Sequence, residues 1–361
     1  MPVKYSSYSR ICINCAADNG QKLAPIGRVT YKDGYLRLLW CNSGFKFAFR
    51  GSHINIALGE MKYEDPVYIK ITVDNTVYKF AVSTGRERLM IEGLHDGVHY
   101  VLVERITEGL VPVLFKSVTL YGAKIVVRPS RVSATKRIEF LGDSLTCGYG
   151  VLAESTVAEY NTYEEDSTRT AAYMAGATFK ADIRTICLSG KGMVCNCNGD
   201  RSDHRACNFF KYDDFDGTMH DFSTWQPGLL VINIGTNDAW GAATEEEYID
   251  EMRKFAHFVR EVYPDTKVLW LCGMLGAQYY NEPLCNLIKE LGGEKEGYYM
   301  LKFDPIENHD GERGGGGHPN LRAQTRFSKA LIRQIHSIMN WPIKGNKDEV
   351  CDDLDDDTDA E

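Results

Sequence analysis

The chain has 361 residues, of which 43% are hydrophobic and 25% are charged. This composition is typical of a folded globular protein, and the length suits two domains. No apolar run reaches the roughly 18 residues that a membrane-spanning helix needs, so we expect no membrane span. The formal charge of -9 comes from nine acidic residues that follow Lys347, which leaves the rest of the chain close to neutral. A neutral body lacks the basic surface that nucleic-acid binding requires, so we expect no nucleic-acid partner.

The acidic C-terminal segment, 343–361, predicts a disordered tail, because its like charges repel and it has little apolar surface to bury. A solubilising tail is the simpler interpretation, and a partner-binding tail is the alternative.

Eleven cysteines, an odd number, are scattered through predicted strands and helices and do not form a spaced framework. We therefore predict that they are mostly reduced. A cluster of thiols and one imidazole raises the possibility of zinc, but its Cys-x-Cys spacing in a polar loop is not that of a zinc knuckle, and we predict no metal and no cofactor. This cluster comprises Cys195, Cys197, His204 and Cys207. The first 15 residues lack the pattern of a secretory signal, so the expectation is a cytoplasmic protein.

The first part of the chain has short apolar or alternating runs broken by turn residues, and it has no long amphipathic pattern. Such spacing predicts an N-terminal β-sandwich, jelly-roll-like, over residues 1–128. The predicted strands are 35–40, 45–49, 54–58, 67–73, 78–82, 99–105 and 114–120.

A polar, proline-containing stretch at 128–131 is typical of a domain junction, and a second domain is predicted over 136–342. Its buried-type strands, 138–141, 183–188, 229–234, 268–271 and 299–303, alternate with helices. The clearest helices are 244–262, where Thr244 and Glu247 form a capping box, and 321–339. This alternation predicts an α/β/α domain with a parallel sheet, whose site lies at the carboxyl ends of the strands.

A candidate nucleophile follows the first of these strands, in Gly142-Asp143-Ser144-Leu145. A serine hydroxyl is a weak nucleophile until a base takes its proton, so a histidine must lie within hydrogen-bonding reach. His318, in a loop after the fifth strand, is the best candidate among nine histidines. Taken alone, it could be a surface residue beside a helix that Asn320 caps.

Acyl transfer also needs donors aimed at the developing oxyanion. The side-chain amide of Asn237, in Gly235-Thr236-Asn237-Asp238, follows the third strand, and Gly190 follows the second. With the Ser144 N–H, they are the predicted oxyanion hole. Each could instead belong to an ordinary turn, but their places at successive strand ends favour a common site.

The order of Ser144, Gly190, Asn237 and His318 resembles the SGNH (GDSL) hydrolase superfamily, with these residues at its four namesake positions. More narrowly, segments 137–150, 189–193 and 225–227 are similar to carbohydrate esterase family two. The resemblance implies an N-terminal β-sandwich followed by an SGNH domain. It also implies removal of O-acetyl groups from plant polysaccharides such as xylan and glucomannan, although such relatives are often secreted.

One position departs from the superfamily, which usually carries Asp three residues before the catalytic histidine. Here that position is Gly315, within a run of four glycines. Losing the acid that sets the tautomer costs about 10⁴ in a serine protease, but a main-chain carbonyl could also orient the His318 ring. Carboxylates that could replace the missing one are Asp304, Asp310 and Glu312.

The leading hypothesis is a metal-independent serine esterase that deacetylates an acetylated carbohydrate through an acetyl-Ser144 intermediate. Two alternatives remain: a weak or inactive protein that binds glycans, and an esterase or lipase for small acyl groups inside the cell. The natural substrate and the oligomeric state stay open. Candidate substrate-binding residues near the motifs are Asp143, Tyr149, Asp238 and Trp240, and Tyr279 and Tyr280 are further aromatics of the site loops.

Overall fold

The structure, a computed structural model, describes residues 9–122, 125–129, 135–154, 161–201 and 204–343. The predicted acidic tail, beyond residue 343, lies outside the described residues, as does part of the predicted junction at 128–131.

The N-terminal part is built from strands, as predicted, with one short helix. In chain order the elements are β1 (Ser9–Asn14), α1 (Cys15–Asp18), β2 (Ala24–Ile26), β3 (Thr30–Lys32), β4 (Tyr35–Leu38), β5 (Gly44–Gly51), β6 (His53–Leu58), β7 (Val67–Val73), β8 (Thr76–Val82), β9 (Arg88–Ile91), β10 (Gly97–Arg105), β11 (Val113–Gly122) and β12 (Val126–Pro129). The sequence predicted seven of these strands and missed β1, β2, β3, β9 and β12, because runs of three to six residues carry little periodicity.

These strands form two antiparallel six-stranded sheets that face each other. One has the order β3-β4-β11-β6-β9, with β1 also paired to β11, and the other has the order β12-β5-β10-β7-β8, with β2 also paired to β5. Alternate side chains of β6 and β7 are buried, which places one face of each sheet in a common core. The core includes Phe45, Phe47 and Phe115, so the predicted sandwich is confirmed.

The C-terminal part alternates strands and helices. Its strands are β13 (Arg137–Gly142), β14 (Asp182–Cys187), β15 (Tyr212–Asp214), β16 (Thr218–Met219), β17 (Leu229–Asn233), β18 (Lys267–Cys272) and β19 (Tyr298–Lys302). Its helices are α2 (Ser144–Cys147), α3 (Ala171–Thr178), α4 (Ala206–Phe209), α5 (Thr236–Trp240), α6 (Glu245–Val262), α7 (Asn281–Glu290) and α8 (Leu321–Met339). Single 3₁₀ turns lie at Thr162–Glu164, Ser167–Arg169, Gln278–Tyr280, Gly293–Glu296, Ile306–Asn308 and Gly315–Gly317.

Five of these strands form a parallel sheet with the order β14-β13-β17-β18-β19. Successive residues of β17 enter opposite cores: Leu230 packs with α6 and α7, and Val231 packs with α3 and α8. Helices therefore cover both faces, as predicted for a doubly wound sheet. The order 2-1-3-4-5 reverses direction between the first and third strands, where this architecture binds ligands at the carboxyl edge. None of the helices in the described part of the chain is long and apolar enough to span a membrane.

The two parts of the chain meet through buried polar contacts. Arg28, between β2 and β3, forms an ion pair of 2.9 Å with Glu139 on β13, and both side chains are fully buried. The Tyr263 hydroxyl donates to the other Glu139 oxygen at 2.8 Å. We propose a domain boundary between the end of β12 and the start of β13, and this junction makes the two domains one packed body.

Candidate active site

Ser144 is the first residue of the one-turn helix α2, directly after β13. Asp143 caps that helix by accepting a hydrogen bond from Leu145 N at 3.0 Å. Gly142 is required by close packing, since a Cβ atom there would overlap the Thr146 side chain. The strand, the glycine and the cap together place the Ser144 hydroxyl at the carboxyl edge of the sheet.

His318 meets this serine from the other side of the site. Its Nε2 lies 2.9 Å from Ser144 Oγ, and its Nδ1 lies 3.2 Å from the carbonyl oxygen of Gly316. A carbonyl can only accept, so Nδ1 carries the proton and Nε2 is left as the acceptor for the serine proton. Burial lowers the pKa of His318, which favours the neutral, basic ring.

The three carboxylates that could have oriented the ring are engaged elsewhere or exposed. Asp304 bonds His309 Nε2 at 2.6 Å, and Glu312 forms an ion pair with Arg326 at 2.6 Å. Asp310 is exposed. The orienting group in the structure is therefore a main-chain carbonyl.

The missing aspartate has a steric explanation. A Cβ atom at Gly315 would lie 3.1 Å from Gly150 Cα and 3.1 Å from Ala153 Cβ. Gly315 N also donates to Gly150 O at 3.1 Å. A side chain at 315 would therefore be tightly packed against residues 150 and 153, which would have to shift by a few tenths of an ångström. Gly316, with φ of 59°, then turns its carbonyl toward the His318 ring.

The predicted oxyanion donors lie at the ends of the strands that flank β13. Gly142 pairs in register with Cys187 of β14 and with Asn233 of β17, so Gly190 and Asn237 follow on either side of Ser144. Gly190 has φ of +74°, a conformation that side-chain-bearing residues rarely adopt.

The Asn237 amide is already engaged. Its Nδ2 donates to Asp143 Oδ2 at 3.2 Å and to Lys191 O at 3.0 Å. These two bonds fix the amide beside the nucleophile. To serve an oxyanion, the amide must share or exchange one of its two hydrogens, and the longer bond to Asp143 is the weaker one.

Two of the candidate substrate-binding residues, Asp143 and Asp238, are fully buried. Asp238 accepts hydrogen bonds from three successive main-chain amides, at residues 193–195. Burial raises the pKa of Asp143 to about 7, and burial also raises the pKa of Asp238. Their hydrogen bonds to main-chain amides support a positioning role in the loops around the site.

The aromatic candidates divide in the same way. Trp240 and Tyr279 are about half exposed, at 53% and 52%. Tyr280 instead stacks on Tyr248 in the core, with ring centroids 4.0 Å apart. The Tyr149 ring lies 4.5 Å from the His318 ring, centroid to centroid. Trp240 and Tyr279 are thus available to a ligand, and Tyr149 packs against the His318 ring.

Sequence reasoning missed Glu108, which lies in the loop between β10 and β11 of the sandwich. Its carboxylate accepts from Ser189 N at 2.5 Å, directly before Gly190, and from the Cys147 thiol at 3.6 Å. Burial raises its pKa. No local pattern marks this residue, because its partners lie at least 39 positions away in another domain.

The cysteines that were weighed as a zinc site do not converge on one point. Cys195 Sγ donates to Gly241 O at 3.4 Å, Cys207 Sγ donates to Met193 O at 3.5 Å, and Cys197 is exposed. Within the described part of the chain, the group whose ligand atoms could hold a metal ion is a different one.

Comparisons with known proteins agree with both halves of this architecture. Residues 140–326 match the GDSL-like lipase/acylhydrolase family, and residues 25–129 match the carbohydrate esterase 2 N-terminal domain. In structure, the chain is similar to a family two carbohydrate esterase from Clostridium thermocellum in complex with cellohexaose. That likeness has a TM-score of 0.80 at 21% identity, over 89% of this chain and 100% of that chain.

Two curated proteins are similar in sequence. The cellulase/esterase CelE of Acetivibrio thermocellus is 25% identical over 315 residues, which are 84% of this chain but only 38% of that protein. An acetylxylan esterase / glucomannan deacetylase of Cellvibrio japonicus is 22% identical over 285 residues, covering 76% of this chain and 77% of that protein. Since the first family match alone covers more than half of the residues, the chain belongs to the GDSL-like lipase/acylhydrolase family and carries the N-terminal domain of carbohydrate esterase family two.

Proposed function

We propose that this protein is a serine esterase that removes O-acetyl groups from a carbohydrate such as acetylated xylan or glucomannan. The observation that carries the proposal is the pair of contacts made by His318: 2.9 Å from Nε2 to Ser144 Oγ, and 3.2 Å from Nδ1 to Gly316 O. Together they provide a nucleophile, a base in the correct tautomer and an orienting group.

The reaction has two steps. In the first, His318 Nε2 takes the Ser144 proton while Oγ attacks the acetyl carbonyl. The resulting oxyanion accepts hydrogen bonds from the main-chain N–H groups of Ser144 and Gly190 and from the side-chain amide of Asn237. The intermediate collapses when His318 returns the proton to the sugar oxygen, which leaves acetyl-Ser144. In the second step, a water molecule attacks this ester with His318 again as base, and acetate leaves.

Sugar recognition is proposed at the exposed aromatic residues. Trp240 ends α5, the helix that carries Asn237, and Tyr279 lies in the loop after β18. Aromatic faces at the rim of a site suit the apolar faces of sugar rings. The names of the relatives, an acetylxylan esterase / glucomannan deacetylase among them, support the same substrate class.

The inactive binding protein was the main alternative, and it predicted a His318 ring with no acceptor near Nδ1. The acceptor is present at Gly316. This contact favours the esterase.

The test compares the wild type with Ser144→Ala and His318→Ala on a chromogenic acetyl ester, and then measures acetate release from acetylated xylan and glucomannan. Both variants should lose nearly all activity. His309→Ala is the matched control, since it removes an imidazole of the same loop whose Nε2 bonds Asp304 at 2.6 Å. Equal rates in wild type and Ser144→Ala would remove the serine from the mechanism, and a faster rate on longer acyl chains would favour the lipase alternative.

A further inference from the structure

A cluster of three buried thiols lies beneath the candidate active site. Cys41, Cys147 and Cys187 are at most 1% exposed, and their sulfur atoms all lie within 4.8 Å of one another. They come from three separate elements: the segment after β4 in the sandwich, the end of α2, and the end of β14. The cluster therefore joins both domains directly below the nucleophile and the oxyanion loop.

The spacing of the cluster is close to that of ligands around one metal ion. Tetrahedral zinc with Zn–S distances of about 2.3 Å separates its sulfur ligands by about 3.8 Å. The three sulfur atoms already lie within 4.8 Å of one another. Small side-chain rotations would bring them to the separation of about 3.8 Å that zinc requires. For a sulfur and a carboxylate oxygen on the same ion, the expected separation is about 3.6 Å. Glu108 Oε2 lies 3.6 Å from Cys147 Sγ but falls outside the group of ligand atoms that lie within 4.8 Å of one another, so Glu108 becomes the fourth ligand only if its side chain moves toward Cys41 and Cys187.

The charges around the cluster indicate a divalent ion. Arg105 is fully buried, and its guanidinium donates to the neutral main-chain carbonyls of residues 38, 107, 109 and 111. Three thiolates, the Glu108 carboxylate and Zn²⁺ carry a net charge of -2, of which the guanidinium offsets one unit, whereas a monovalent ion would leave one more uncompensated buried charge.

We propose that Cys41, Cys147 and Cys187 bind one Zn²⁺ ion, with Glu108 completing the site. The ion cross-links the sandwich to the helix that begins with Ser144 and to the strand that leads to Gly190. It has no part in the ester chemistry, since the three thiols are buried below the catalytic hydroxyl. Its role is structural: it holds the two halves of the oxyanion hole in register.

The first experiment uses the reduced, full-length protein and zinc alone. After zinc addition and gel filtration, we expect about one zinc per chain, a higher melting temperature than that of the chelator-treated protein, and an X-ray absorption spectrum with three sulfur neighbours at about 2.3 Å. A shell of nitrogen and oxygen only, or no retained zinc, would overturn the site. Loss of two titratable thiols without zinc uptake would instead indicate a disulfide, which also overturns it.

The second experiment uses variants and Co²⁺ as a spectroscopic probe. Cys187→Ser should abolish the thiolate-to-cobalt charge-transfer band and the retention of zinc. Cys15→Ser, an equally buried cysteine of the sandwich core, is the matched control and should keep both. Zinc retention unchanged in a folded Cys187→Ser protein contradicts the proposal, and the absorption spectrum of the wild type decides the question if that variant does not fold.

Discussion

Replacing Asn237 by Ala tests the oxyanion hole more sharply than any change to the dyad. The substitution removes one donor, and such a loss typically raises the activation free energy by about 2.7 to 4 kcal/mol. In this structure the Asn237 amide already donates one hydrogen bond to Asp143 Oδ2 at 3.2 Å. The amide must share or give up this bond before it can donate to the oxyanion. Since that exchange offsets part of the gain, we expect the lower end of the range, which is a fall of about 100-fold in kcat.

The Michaelis constant separates this effect from a binding defect. The oxyanion charge develops only in the transition state, so KM for a chromogenic acetyl ester should change by less than about threefold. Stability should also fall by about 1 to 3 kcal/mol in urea unfolding, because the fully buried Asp143 loses a hydrogen-bond donor.

Asn233→Ala is the matched control. Asn233 is a buried amide at the end of β17, the strand that precedes Asn237. Its Nδ2 donates to Thr146 Oγ1 at 3.4 Å. This variant should lose stability while keeping kcat within about threefold of the wild type. The oxyanion role is refuted if folded Asn237→Ala keeps the wild-type kcat, or if Asn233→Ala loses as much.

Three further outcomes follow from the structure. Burial lowers the pKa of His318 below 6.5, and only the neutral ring can accept the serine proton. We therefore expect kcat/KM to be retained above the His318 pKa and lost as the pH falls through it, with a midpoint below 6.5. Gly190→Ala should lose most of its activity, because φ of +74° strains any side-chain-bearing residue and shifts the N–H. Arg28→Ala should lower the free energy of unfolding by about 3 to 5 kcal/mol, because it leaves the fully buried Glu139 without its counter-ion.

Each of these outcomes has its own control. Asp143→Asn removes a nearby carboxyl group whose pKa is raised to about 7, and the acid limb should persist in this variant. Gly217→Ala changes a glycine with φ of +90° in open space and should leave activity intact. Arg201→Ala breaks an exposed ion pair and should leave the urea midpoint unchanged. An acid limb above pH 6.5, an active Gly190→Ala, or an equal stability loss in the two arginine variants contradicts the respective argument.

The sequence was sufficient for the fold class and for the pairing of His318 with Ser144. Strand ends in a parallel sheet meet at one edge, so the positions of Ser144, Gly190 and Asn237 after successive strands predict that these residues lie side by side. The predicted helix 321–339 and the Thr244 capping box are confirmed by the structure.

What the sequence missed depends on contacts between distant segments. Glu108 reaches Ser189 across 81 positions, and no periodicity in either segment records that approach. Similarly, the choice between a carboxylate and a carbonyl for His318 depends on how the backbone at Gly150 packs against Gly315. The sequence also could not predict that Asp143 and Asp238 are buried, because a short motif gives the order of residues along the chain and not how deeply each one is buried.

The buried pair between Arg28 and Glu139 has a consequence for how such proteins can evolve. Glu139 lies on the central region of the catalytic sheet, yet its counter-ion belongs to the other domain. A recombination event that delivered the catalytic half alone to a new gene would deliver it with an unpaired charge in its interior. The two halves are therefore expected to be inherited as one cassette, and fusion partners should be added outside this pair and never between its members.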